Sequence, residues 1–379
     1  MHGSVTSDFD IDRIGKLAHE TPFFLLSKHG LINRLAEFCS LFPGAAIHYA
    51  LKANSEPEVL AVLANAGCGF EAASRYELDL LRPARVPADK IIYGTSIKPL
   101  SHIACFFERG IDRFAVDCLS ELEKIAAAAP GARVYARLAV NDAGSVFKFS
   151  EKFGTDKANA TALLQQAAKL GFRPYGLSFH VGSQARNAGA WASALKDVRD
   201  VMRALERSNV RIETLNIGGG FPCQYASSEF APTLQEISAR FYDEMQTLPY
   251  TPELILEPGR GLIAEAAVLV TSVIGRVERG EQTWLFLDAG VYNGLFEAMA
   301  YQGSTRYPID SVRLSNASGE ALFALAGPTG DSPDIITREA LLPRDTDVGD
   351  RLIIRNAGAY TLSVTSRFNG FPKPPLYVV

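Results

Sequence analysis

Eight apolar, strand-length runs punctuate the first two thirds of this chain, at 46–51, 69–73, 90–94, 113–117, 133–140, 175–181, 212–217 and 253–257. Helix-length segments with apolar residues at 3.6-residue spacing separate most of them. Val59, Leu60, Val62 and Leu63 form one such stripe, and Leu195, Val198, Val201, Met202 and Leu205 another. Strands that alternate with helices build parallel sheets, and eight such units over roughly 215 residues predict an α/β fold of the (β/α)8 TIM-barrel type. A doubly wound open sheet is the competing solution. Polar and glycine residues at nearly every strand's C-terminal end favour the barrel, which builds its site there.

After Arg260 the texture changes. The runs 264–276, 283–287, 321–325, 351–355 and 375–379 read as strands, parted by turn residues with little helix between. They predict a second, β-rich domain, sandwich or barrel-like, of roughly 115 residues. The apolar run 22–26 precedes the barrel and is assigned to this second domain. The expected division is 27–258 for the barrel, and 1–26 with 259–379 for the β-rich domain.

Bulk chemistry narrows the function. A net charge of −4 without any Lys/Arg-rich run argues against a nucleic-acid partner. The five cysteines, Cys39, Cys68, Cys105, Cys118 and Cys223, show no paired spacing. That pattern fits a reducing cytoplasm and neither a disulfide framework nor a metal site. No apolar run reaches the ~18 residues a membrane span needs. Residues 1–13 are polar and acidic, with no apolar signal-peptide core. The expectation is a cytoplasmic protein without a membrane partner.

The strand ends carry the chemistry. In order they supply Lys52 and Asn54; Glu71, Ser74 and Glu77; Arg137; Ser178 through Ser183, including His180; Gly218-Gly219-Gly220; and Glu257-Pro258-Gly259-Arg260. Each has a plain structural reading. Lys52 can be a rim lysine, His180 a hydrogen-bonded core residue, and Arg137 a charge solvated at the barrel mouth. Arg260 can pair with Glu257, and three glycines can mean only a tight turn. Taken together they fit one cofactor, pyridoxal phosphate. It needs a lysine for its aldehyde, donors for its phosphate, a flat group over its ring and an anion at its pyridine nitrogen. A protonated ring is an electron sink, which favours decarboxylation.

These residues sit in motifs that resemble the fold-type III, pyridoxal-phosphate-dependent basic amino acid decarboxylases, of which ornithine decarboxylase is most similar. The motifs are Tyr49-Ala50-Leu51-Lys52-Ala53-Asn54, Phe179-His180-Val181-Gly182-Ser183, Gly218-Gly219-Gly220-Phe221-Pro222, Glu257-Pro258-Gly259-Arg260, Gly327-Pro328-Thr329 with Asp331, Gly358-Ala359-Tyr360-Thr361, and Phe368-Asn369-Gly370-Phe371. They occur in the family's order along nearly the whole chain. The resemblance implies that Lys52 forms the Schiff base, His180 stacks on the ring and Glu257 binds the pyridine nitrogen. It implies that Ser183, Gly218, Gly219, Gly220, Gly259, Arg260 and Tyr360 surround the phosphate. Glu71 would lie near the ring's O3′ side, with Arg137 fixing the Lys52 end. It further implies a head-to-tail homodimer with shared sites, the Gly327–Asp331 loop coming from the partner, and an L-amino acid substrate converted to an amine and CO2.

Two departures bear on the substrate. The family's loop after Gly-Pro-Thr carries a cysteine that returns a proton to Cα, and here that position is Gly330. The ornithine enzymes have Tyr-Asp early in the β domain, and here the pair is Tyr301-Gln302. Asp331 remains as a cation-binding carboxylate, with Phe368 nearby in the family's site. The expected substrate is an ornithine-type amino acid or, given these departures, a longer or N-substituted one, with polyamine synthesis or tailoring of a conjugated amino acid as its setting and decarboxylation-linked transamination as a side course. An amino acid racemase is the competing chemistry, and Glu257, where that group places a basic residue, argues against it. A non-catalytic regulator of the antizyme-inhibitor type is the competing class, and the complete lysine, histidine, glutamate and arginine set argues against it.

Overall fold

Parallel pairing links eight short strands into a nearly closed ring. In chain order these are Ala46–Ala50, Gly69–Glu71, Ile91–Ile92, Arg113–Val116, Arg133–Leu138, Arg173–Phe179, Thr214–Asn216 and Glu253–Leu256. The last strand pairs with the first, Ile255 opposite Ala46. The third and fourth meet only through a parallel bridge between Tyr93 and Phe114. This computed structural model describes residues 9–226, 230–300, 305–312 and 319–379. The expected barrel is present, and each of the eight predicted runs overlaps one of its strands.

The interior explains the closure. Ile92, Ala115, Tyr135, Tyr175 and Ile255 form one buried cluster. They come from strands that are not all neighbours around the sheet, so they meet inside the barrel. Outside, the helix Ala190–Glu206 buries Trp191, Ala194, Leu195, Val198, Val201, Met202 and Leu205. These positions fall at spacings of three and four along one face. A fully buried side chain of this size contributes about 1.5–3 kcal/mol, so the stripe outweighs propensity in holding the helix to the sheet. The helix Pro57–Asn65 does the same with Val59, Leu60, Val62 and Leu63, and starts on a proline that needs no N–H partner.

The chain divides into two compact units. One comprises residues 35–222 and 231–261, and the other 1–34, 223–230 and 262–379. This differs from the expected division. The first turns of the helix Lys28–Leu41 and the segment 223–230 go with the β-rich unit, so the chain passes between units more than once.

Within the β-rich unit, the strand Ala267–Arg279 is the hub. It pairs antiparallel with Phe23–Leu26, Gln282–Leu287 and Arg351–Ile354. Phe23–Leu26 also pairs in parallel with Leu376–Val378. Two expectations are corrected here. The run at 264–276 does not begin as strand, because Arg260–Ile263 is helical and Ala264–Ala266 a 3-10 turn. An apolar run alone does not separate the two conformations. The strand Ile335–Pro343 was not anticipated, because Arg338 and Glu339 interrupt its apolar pattern. It pairs antiparallel with Glu320–Ala326.

Candidate active site

A cavity of about 260 Å³ opens at the C-terminal ends of the barrel strands, lined by Lys52, Glu71, Gly94, Thr95, Arg137, Phe149, Phe153, Ser178, His180, Asn216 and Glu257 among others. Five residues expected from the sequence, Lys52, Glu71, Arg137, His180 and Glu257, are thus brought together.

Lys52 leaves the first strand in a 3-10 turn, Leu51–Ala53, whose other two residues are buried. Its Nζ lies 3.6 Å from Glu71 Oε2, with the lysine side chain 46% exposed and the glutamate 2%. The amine is therefore at the cavity and the carboxylate beneath it. Glu257, one residue past the last strand, is tethered by Asn216, whose Nδ2 donates to Oε1 at 2.6 Å. Burial, then the neighbouring Glu71 charge, raises the Glu257 pKa above the ordinary carboxylate range. Glu77 sits close behind, its Oε2 accepting the Ala73 N–H at 2.6 Å. Its pKa is raised to about 7, mainly by burial and then by Glu71.

His180 is held as a neutral ring. Its Nδ1 accepts the Gly182 N–H at 3.1 Å. Burial, followed by the Arg137 and Lys52 charges, drives its pKa well below the usual histidine value. Phe149 meets the imidazole edge-on, centroids 4.9 Å apart at 67°. Arg137 lies 5.1 Å from the Phe153 ring centroid. Desolvation lowers its pKa.

The glycine run packs against these residues without lining the cavity. A Cβ on Gly218 would stand 2.3 Å from the Phe179 carbonyl, and one on Gly220 2.4 Å from that of Gly182. Both have positive φ, 66° and 95°, which glycine adopts without strain. A Cβ on Gly219 would stand 2.6 Å from the Glu257 carbonyl and 3.2 Å from His180 Nε2. The Gly218 N–H donates to Asn216 Oδ1 at 2.9 Å.

Other expected residues are also placed outside this cavity. Ser183 is buried in a two-stranded pairing, opposite Phe147. Gly259 precedes Arg260, which opens the helix Arg260–Ile263, is 3% exposed and lies with its guanidinium carbon 5.3 Å from the Phe147 ring centroid. Tyr360, Gly330, Asp331 and Phe368 belong to the β-rich unit. There the Tyr292 hydroxyl donates to Asp331 Oδ2, and the Tyr292 ring lies 4.5 Å from that of Phe368. A Cβ on Gly330 would meet nothing within 4 Å. Tyr301 and Gln302 lie outside the described residues. Among the described residues no group of three or more His, Cys, Asp or Glu could hold a metal ion, and no helix is long and apolar enough to cross a membrane.

Sequence reasoning missed Asn216, Phe149, Phe153 and Thr95. Asn216 had a signal, as a polar residue ending a buried strand two positions before the glycines. The two phenylalanines lie after the fifth strand, in a segment with no strand-end signature.

A family model described as pyridoxal-dependent decarboxylase, pyridoxal binding domain, matches residues 29–264. The chain is 32% identical over 361 residues to the lysine/ornithine decarboxylase of Selenomonas ruminantium, spanning 94% of this chain and 89% of that one. It is 30% identical to antizyme inhibitor 2 of Xenopus laevis, spanning 97% and 83%. The crystal structure of lysine/ornithine decarboxylase complexed with putrescine from Vibrio vulnificus aligns with a TM-score of 0.86 at 32% identity, over 95% of this chain and 94% of that one.

Proposed function

The chain belongs to the pyridoxal-dependent decarboxylase family, and on that premise we propose that Lys52, Glu71, His180, Asn216 and Glu257 form the site at which it decarboxylates a basic L-amino acid. The protein is a pyridoxal-phosphate-dependent amino acid decarboxylase. The observation that carries the assignment of residues is the Lys52 amine, 3.6 Å from a buried Glu71 and in the same cavity as Glu257.

The residues present fit the cofactor. The amine, a flat neutral imidazole and a tethered carboxylate share one cavity, and the glycine turn packs behind it. Bound pyridoxal phosphate supplies an aldehyde that captures the substrate amine and a ring that takes up the electron pair released when the Cα–carboxylate bond breaks. Lys52 Nζ would hold the aldehyde and, once released from it, move protons at the cavity mouth. Glu71, 3.6 Å away, would hold that amine in place. Glu257, oriented by Asn216, would face the ring nitrogen and keep it protonated. His180, neutral and held by Gly182 and Phe149, offers a face without adding a competing positive charge. Phe149 and Phe153 line the cavity and would help to exclude water. Within the barrel unit, Gly218, Gly219, Gly220, Ser183, Gly259 and Arg260 would surround the phosphate.

For the substrate, a basic amino acid longer than ornithine, or one with a substituted tail, fits best. Glutamine in place of aspartate at residue 302 removes one carboxylate, weakening an ammonium site by about 1.5–3 kcal/mol. Gly330 leaves room where a side chain would stand. The Selenomonas ruminantium and Vibrio vulnificus relatives are named for lysine as well as ornithine, which agrees with a longer tail. The site would be completed by a second copy of the chain in a homodimer.

Borohydride reduction followed by peptide mapping should label Lys52. CO2 release across a panel of free and conjugated basic amino acids should show lysine or a substituted analogue above ornithine in kcat/KM. An unlabelled Lys52, or ornithine leading the panel, overturns the respective part.

A further inference from the structure

A second lysine sits beside the active-site cavity, and its amine is fully buried. Lys98 has a side-chain exposure of 0%. Its Nζ donates to three backbone carbonyls, Thr95 at 3.0 Å, Ser96 at 2.7 Å and Ala115 at 2.5 Å. The first two belong to the loop after the third barrel strand, and Ala115 belongs to the fourth strand. One ammonium therefore ties a loop to the adjacent strand at the seam where the barrel closes.

A buried ammonium is costly unless it is paired and fully hydrogen-bonded. The surroundings meet both conditions. Glu121 Oε2 lies 3.6 Å from Nζ, and the same oxygen accepts the Lys98 backbone N–H at 3.1 Å. Lys124 pairs with Glu121 and donates to the Lys98 carbonyl at 2.6 Å. The Tyr93 ring centroid is 5.7 Å from Nζ. A barrel could cover this position with an apolar side chain and avoid the cost, so the three carbonyl contacts call for a reason.

The reason lies in what the loop touches. Gly94 and Thr95 line the cavity. A Cβ on Gly94 would be 2.9 Å from Glu71 Cγ and 3.1 Å from Glu257 Oε1, so the backbone there packs directly on both carboxylates. A small shift of this loop would change the room for Glu71 beside Lys52 and for Glu257 beside Asn216. Positioning at the ångström scale is what catalytic constellations demand of their supporting residues.

We propose that Lys98 is a positioning residue for the decarboxylase: its ammonium clamps the 94–96 wall of the cavity onto the fourth strand and so fixes Glu71 and Glu257. The inference rests on the decarboxylase reading of the cavity, and it is independent of which amino acid is the substrate. Burial lowers the Lys98 pKa to about 8, with Glu121 and Asp117 favouring the proton and Lys124 opposing it. Deprotonation leaves two N–H donors for three carbonyls, so the clamp loosens as pH rises through that value.

The test has two arms. In cofactor-free protein, amide hydrogen exchange is followed in peptides covering residues 93–99 and 190–206, for the wild type, K98M, K98R and E121Q. K98M should speed exchange at 94–98 by about tenfold, the size of one lost charge-assisted hydrogen bond, and leave 190–206 unchanged. K98R should restore part of the protection. In wild-type protein the same loosening should appear above about pH 8, and E121Q should move it to lower pH. In the loaded enzyme, K98M should lower kcat by about tenfold with a smaller change in KM, and its kcat should lose the alkaline limb near pH 8. Unchanged exchange at 94–98 together with unchanged kcat in K98M overturns the proposal. If K98M does not fold, an E121Q limb that stays at the wild-type pH overturns it. Absence of any CO2 release from wild-type enzyme would count against the decarboxylase reading, while the exchange arm still tests the clamp.

Discussion

Asn216 donates to Glu257 Oε1 at 2.6 Å while its own Oδ1 accepts the Gly218 N–H at 2.9 Å. One amide therefore orients the buried carboxylate and starts the glycine turn. Asn216→Ala should leave Glu257 without that donor, a loss of about 1.5–3 kcal/mol for a charged acceptor. Cofactor titration followed by visible absorbance should show binding weakened by about tenfold or more, with Asn216→Asp worse because it adds a third carboxylate beside Glu71 and Glu257.

Glu257 holds its proton more tightly in the folded chain than an exposed carboxyl does. With a raised folded pKa, the folded state binds more protons than the unfolded state between the ordinary carboxyl value and the raised one. The group's stabilising contribution is therefore full below the ordinary value and lost as pH rises through the raised one. Glu77, raised to about 7, acts in the same direction. In cofactor-free protein, Glu257→Gln should gain in Tm relative to wild type between about pH 5 and pH 8. A melting series showing the opposite slope would contradict the assignment of burial as the dominant cause.

Gly219 and Gly330 offer a contrast. Gly219→Ala drives a methyl to 2.6 Å from the Glu257 carbonyl and 3.2 Å from His180 Nε2. It should lower kcat/KM by about tenfold or more through displacement of both residues, with Tm falling by a few degrees. Gly330→Ala meets nothing within 4 Å, and its Tm should stay within about 2 °C of wild type.

Tyr292 holds Asp331 through its hydroxyl and packs on Phe368. If Asp331 grips the substrate's distal cation, Tyr292→Phe should raise KM about threefold to tenfold with little change in kcat, and Asp331→Asn should raise it further. Steady-state kinetics on lysine would show a split between KM and kcat.

Gly330 provides no side-chain proton donor. Product analysis by mass spectrometry should detect a carbonyl product beside the amine, and Gly330→Cys should shift the ratio toward amine. A single-turnover reaction that yields amine alone in the wild type would reject this leakage.

The barrel was legible because its strands are marked twice, by apolar content and by the polar or glycine residues that terminate nearly every one. Lys52, Glu71, Arg137, His180 and Glu257 all stand within two residues of a strand's C-terminal end, and the topology does the rest. Phe149 and Phe153 were not legible, because they reach the cavity from the segment after the short strand Ser145–Phe147. Lys98 was hidden for a different reason. Its sequence neighbours suggest a surface loop, and only the tertiary fold brings Ala115 and Glu121 around its amine. In the β-rich unit, Ile335–Pro343 escaped because its charged residues mask the alternation that marks a strand.

Where the third and fourth strands meet, the ring of parallel pairing narrows to a single residue. Tyr93 receives the Ala115 N–H and donates to the Arg113 carbonyl, both at 3.1 Å, beside a strand only two residues long. With so few rungs, this is where solvent should first reach the barrel's interior amides, ahead of the longer ladder between Arg133–Leu138 and Arg173–Phe179. The Lys98 ammonium is stationed across that narrowest joint.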